Sequence, residues 1–106
     1  MIWTIYYSAE ARQDLRDIRE YISDEIMAPI AAANQVRKIM AAIRKLEEMP
    51  MRHRLYEDEP WHSQGLRFLP VGNYIVFYIP DEVSMTVKII RIMYSGRDVK
   101  KQFDGN

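Results

Sequence analysis

The chain contains no cysteine, so disulfides and thiolate metal sites are excluded. This absence accords with a reducing cytoplasm. No apolar run approaches the roughly 20 residues needed to cross a bilayer. The N-terminus lacks the basic flank and apolar core of a signal peptide. There are only two histidines, His53 and His62, and their spacing matches no metal motif. No P-loop, dinucleotide-binding glycine pattern, nucleophile elbow or zinc spacing is present. These absences remove the commoner cofactor and metal chemistries, and no cofactor or metal is expected. A cytoplasmic location is expected.

What is present is a folding sequence. With 106 residues, 48% of them hydrophobic, the chain fits one modest core, and a single domain over 1–106 is expected. The net charge is zero but unevenly spread. Residues 1–31 carry three arginines against six acids; residues 60–103 carry six cations against three acids. The C-terminal half is thus locally basic. It is either an ordinary solvated surface or a face for nucleic acid or an acidic protein segment.

The stretch 65–98, GLRFLPVGNYIVFYIPDEVSMTVKIIRIMYSGRD, organises the rest. Its runs 66–71, 73–79 and 85–94 are rich in Val, Ile, Phe and Tyr. Gly72-Asn73 and Pro80-Asp81-Glu82 separate them, which predicts an antiparallel meander of three strands. Upstream, 2–7 (IWTIYY) reads as a strand. Ser8 can cap a helix running to about Glu25, with Ala11, Leu15, Ile18 and Ile22 on one face. Pro29 opens a second helix, whose apolar stripe is Val36, Ile39, Met40, Ile43 and Leu46 and which Pro50 stops. The stretch 51–64 reads as a loop with a turn of helix, and 99–103 as one further turn. The fold class is α+β, βααβββ: a helix hairpin packs on one face of a sheet that the N-terminal strand joins, and the other face is left partly open.

Candidate chemistry concentrates at the end of the meander. Strand alternation puts Arg91 with Val87, Ile89 and Met93, and Tyr94 with Ile90 and Ile92. Metal-free phosphodiester cleavage needs cations, an acid and a base. Arg67, Arg91 and Arg97 can supply charge and Tyr94 a proton donor. His53 and His62 are weaker acid–base candidates. Equally, Arg67 and Arg91 can pair with local acids or carbonyls at the sheet edge. Arg67 and Arg97 are expected at one edge, with Tyr94 or Arg91 beside them. Trp3, Tyr6, Tyr21 and Trp61 are the aromatic candidates for a partner surface, with core packing the alternative for each.

The order βααβββ, with GLRFLPVGNYIVFY, VKIIRIMYSGRD and the opening YSAEA, resembles the RelE/ParE superfamily of toxins from bacterial type II toxin–antitoxin modules. The resemblance spans nearly the whole chain. It implies a compact toxin neutralised by a partner antitoxin, as a heterotetramer or alongside a homodimer. RelE-like members cut messenger RNA in the ribosome without metal; ParE-like members block DNA gyrase. With Tyr74 and Tyr78 as anchors, the second-strand lysines of RelE fall on Leu66 and Phe68, and a third-strand arginine on Ile75. Arg97 matches a late arginine, and Phe103 stands where a catalytic tyrosine would be. A phenylalanine cannot donate a proton. The resemblance therefore implies the ParE branch, acting on gyrase by binding. The alternatives are a ribosome-dependent endoribonuclease using His53, His62 or Tyr94, and a degenerate module that retains only antitoxin binding.

Overall fold

The computed structural model describes residues 2–96 and Val99. Strand β1 is Thr4–Tyr7, helix α1 is Ala9–Glu20 and helix α2 is Pro29–Arg44. Strands β2, β3 and β4 are Arg67–Val71, Tyr74–Asp81 and Thr86–Tyr94. The sheet order is β1-β4-β3-β2, with β1 parallel to β4 and the other pairs antiparallel. The expected βααβββ order and meander are present, and the N-terminal strand joins as an edge.

Local chemistry sets the helix starts. The Ser8 Oγ accepts the Ala11 N–H at 2.9 Å, while its own hydroxyl donates to the Ile90 carbonyl at 2.9 Å. One side chain thus caps α1 and docks it on β4. Past Glu20 the helix widens into a π-helical turn, Tyr21–Glu25. Met27, at φ 57°, then reverses the chain, and Ala28 N–H bonds back to the Ile22 carbonyl. Pro29 stands in the first turn of α2, where its missing N–H costs nothing. Pro50 does not end this helix as the sequence suggests. The α-helix ends at Arg44, a 3-10 turn Lys45–Glu47 follows, and Pro50 opens a second such turn, Pro50–Arg52.

Two apolar clusters sit on opposite faces of the sheet. On the helix side Ile39, Ile43 and Leu46 meet Val76, Tyr78 and Ile89, all buried, with Ala11 and Ile18 from α1. Leu15 and Ile22 pack against this cluster at its margin. Met40, assigned to the same stripe by periodicity, is exposed, and Ala32 is buried. On the other face Leu66, Phe77 and Met93 are buried with Trp61, Tyr56 and Phe68 around them. The loop therefore covers the β2–β3 half of the face expected to be open, while Tyr6 and Lys88 stay exposed.

A bulge changes the parity of β4. Phe77 faces Arg91 but the next residue, Tyr78, faces Ile89, so Ile90 is extra. Val87, Ile89 and Ile92 consequently share the helix-side cluster, while Ile90 and Met93 pack on the other. Strict alternation had grouped Val87 and Ile89 with Met93. The helical turn expected over 99–103 lies, except for Val99, outside the described residues.

Candidate functional site

The two described candidate arginines are both engaged within the molecule. Arg91 makes a two-armed ion pair with Asp14 on α1, Nε to Oδ2 at 2.8 Å and Nη2 to Oδ1 at 3.0 Å. The Arg67 Nη1 donates to the carbonyls of Met51 at 2.9 Å and His53 at 2.6 Å. Opposite it on β3, the buried Tyr78 hydroxyl donates to the Pro50 carbonyl at 2.7 Å. Arg67 and Tyr78 together clasp the 50–53 segment to the sheet.

This clasp sets the state of its neighbours. Burial pushes the Tyr78 phenol up to about 12 against the pull of Arg67 and Arg52. Burial, then the charges of Arg52 and Arg67, hold His53 below the ordinary imidazole range. The His53 ring meets Tyr78 edge-on, centroids 6.3 Å apart. His62 is exposed on the far loop.

The candidates do not converge. Tyr94 faces Tyr74, which faces Val71, whereas Arg67 lies four residues before Val71. That offset is about 13 Å along a strand. Tyr94 and Arg67 thus sit at opposite ends of the sheet, and Arg97 lies outside the described residues. Of the four aromatic candidates, Tyr6 and Tyr21 are exposed; Trp3 and Trp61 are half-buried against the two clusters. Among the described residues no group of three or more metal-ligating side chains occurs. Among the same residues no helix is long and apolar enough to cross a membrane.

The sequence reading missed a broad concavity on the helix side. A groove of about 980 Å³ runs between β1 and the C-terminal half of α2. Ile2, Ile5, Met40 and Met49 give it apolar walls, and Arg37, Arg44, Lys45 and Arg52 ring it with cations. Glu47 and Glu48 are its acids. Thr4 and Ser8 N–H groups bond to β4, so by alternation the backbone of Ile5 and Tyr7 turns outward over the groove. The signal for this site was Arg37 and Arg44, one heptad apart on α2, with exposed Met40 between them. Only the fold could bring β1 and Arg52 to them.

A family model, the ParE toxin of the type II toxin–antitoxin system parDE, matches residues 5–99. The chain belongs to the ParE toxin family. It is similar in fold to a chain of the chromosomal ParDE toxin–antitoxin system from P. aeruginosa, with a TM-score of 0.72 and 18% identity. That match covers 88% of this chain and 96% of the other. It is also similar to a chain of the toxin–antitoxin complex RelBE2 from Mycobacterium tuberculosis, at TM-score 0.64 and 22% identity, over 89% and 92% of the two chains. No curated protein matches the sequence. In this ParE family chain the helix hairpin, the parallel edge strand and the meander are thus a shared scaffold. The groove, the clasp and the Asp14–Arg91 pair are what its own residues build on it.

Proposed function

We propose that this toxin arrests DNA gyrase by binding it, and that a cognate antitoxin holds it inactive through the cationic groove. One observation carries the choice of gyrase over messenger RNA. The sheet positions that match the basic residues of RelE-like nucleases hold Leu66, Phe68 and Ile75. Leu66 is buried, and Phe68 and Ile75 pack against the same apolar cluster. At these three positions the face packs hydrocarbon and offers no charge stabilisation to a phosphodiester transition state. Arg67 and Arg91, the two described candidate arginines of the sheet, are committed to carbonyls and to Asp14. The family description supports the same branch.

The groove supports the antitoxin part. Four exposed cations around apolar walls suit an acidic amphipathic segment, and the outward backbone of β1 suits an extended one. Induction of the toxin in cells, with DNA breaks and SOS induction scored against mapped messenger RNA cleavage, tests the proposal. DNA breaks with intact transcripts are expected. Ribosome-dependent cleavage without DNA breaks would establish the nuclease reading instead, and neither lesion would leave only antitoxin binding.

A further inference from the structure

The groove leaves a second exposed surface unused, at the far end of the helix hairpin. Tyr21 and Ile26 are half-exposed, Met27 is 83% and Ile30 78% exposed. Four large apolar side chains within ten residues exceed the scattered exposure of an ordinary surface. They include Tyr21, which opens a π-helical turn, and Met27, which is at positive φ. Such irregularities concentrate at functional sites.

The end of the sheet extends this surface. Tyr94, 47% exposed, meets Tyr74 edge-on with centroids 5.7 Å apart. Tyr21 stands between Ile18 and Ile22, which pack in the same cluster as Tyr74, so the end of the hairpin and the end of the sheet meet here. Gly96 fixes the outer ring. A Cβ there would overlap Tyr94 Cε2 and stand 2.9 Å from Cζ, so glycine alone lets the ring lie where it does. A pre-placed, half-exposed tyrosine is the residue type that anchors protein interfaces, at low entropic cost.

Charge selects the occupant. Residues 17–30 carry Asp17, Glu20, Asp24 and Glu25 against Arg19 alone, with Lys38 at the border near Gly72. The groove has the opposite sign. An acidic segment suited to the groove is repelled here, and a basic one suited here is repelled there. The two surfaces therefore take different partners. Nucleic acid is disfavoured by the four carboxylates.

We infer that the ledge of Tyr21 and Tyr94, backed by the buried Tyr74 and continued by Ile26, Met27 and Ile30, is the surface that grips the target through a basic protein segment bearing apolar side chains. This rests on the proposal that the toxin acts by binding a protein. It is tested with full-length chain in three variants: Tyr94→Ser, Gly96→Ala and the double change Asp24→Lys with Glu25→Lys. Each is assayed for growth arrest, for capture of assembled gyrase, and for co-purification with the antitoxin. Circular dichroism and thermal melts check the fold.

Growth arrest and gyrase capture should fall at least tenfold in all three, with antitoxin co-purification unchanged. Gly96→Ala is the sharpest, since it removes no contact group and acts by moving the Tyr94 ring. Folded variants that arrest growth like wild type would overturn the assignment. If wild type captures no gyrase, the gyrase proposal fails by itself. The ledge then stands if the variants still lose growth arrest and falls if they keep it.

Discussion

Asp14 and Arg91 hold α1 against β4 where β1 has ended. Pairing with β1 stops at Ile89. Beyond it the Ser8 hydroxyl takes the Ile90 carbonyl, and the Asp14 Oδ2 accepts the Ile92 N–H at 2.8 Å. The same carboxylate receives both arms of Arg91, with side-chain exposures of 25% for Arg91 and 12% for Asp14. The bulge at Ile90 sets Arg91 out of strict alternation just where the helix can reach it. The hydrogen bonds that Arg91 donates to Asp14 raise its guanidinium further above its ordinary range, against the opposing effect of burial.

Asp14→Ala should therefore destabilise the protein by about 2–4 kcal/mol. Breaking a buried pair costs about 3–5 kcal/mol, and the partial exposure of Arg91 reduces that. The Ile92 N–H is orphaned as well. Denaturant melts of Asp14→Ala, Arg91→Met and the double variant measure it. The double variant should be less damaged than the sum of the singles, because it leaves no uncompensated charge.

Tyr78→Phe should cost about 1–3 kcal/mol, since it strands the Pro50 carbonyl. It should also change alkaline stability. The folded phenol titrates near 12 and the unfolded one near 10, so folding favours the protonated form. That contribution is complete below pH 10 and is lost as pH rises from 10 through 12. Its ceiling is about 2–3 kcal/mol. Stability curves from pH 9 to 12 should fall more steeply for wild type than for Tyr78→Phe.

His53 gives the opposite dependence. Its folded pKa lies below the ordinary value, so folding favours the neutral ring. The contribution is present above about pH 6.5 and is lost as pH falls through the folded pKa. The proton NMR titration of His53 should have its midpoint below the ordinary imidazole value of about 6.5. Arg67→Met should move the His53 midpoint upward by removing a nearby charge, and should speed proteolysis after Arg52 and Arg54 by opening the clasp.

Ile43→Ala should cost about 2–5 kcal/mol, the range for a fully buried aliphatic, and more than Leu15→Ala at the margin of the same cluster. Equal costs in chemical denaturation would show that the hairpin seats more deeply at α1 than the burial indicates.

Charge reversal in the groove, Arg44→Glu with Lys45→Glu, should weaken the antitoxin complex by at least tenfold and make the remainder less salt-sensitive. Both side chains are exposed, so thermal stability should change little. Titration of the purified antitoxin onto each toxin at two salt concentrations reads this directly.

Periodicity and turn chemistry determined the element order. Ala11, Ile18, Ile39 and Ile43 recur at helical steps and are core, and Gly72-Asn73 falls at the first meander turn. The second turn is 82–85 rather than Pro80 to Glu82, because Pro80 and Asp81 stay in β3, paired with Val87 and Thr86. These signals are local, because a helix face or a turn is specified within a few residues. The family was legible too, since its motifs lie along the same elements. Tertiary structure alone decided the rest. One unpaired residue, Ile90, reset which face each β4 side chain takes, and no alternation rule marks a bulge in advance. Arg67 and Arg91 were equally eligible as site cations until carbonyls 14 and 16 residues away and a carboxylate 77 residues away claimed them. The groove and the tyrosine ledge each join segments far apart in the chain. Charge and exposure at such places are properties of assembled surfaces, because sequence lists the side chains but only packing decides which ones water still reaches.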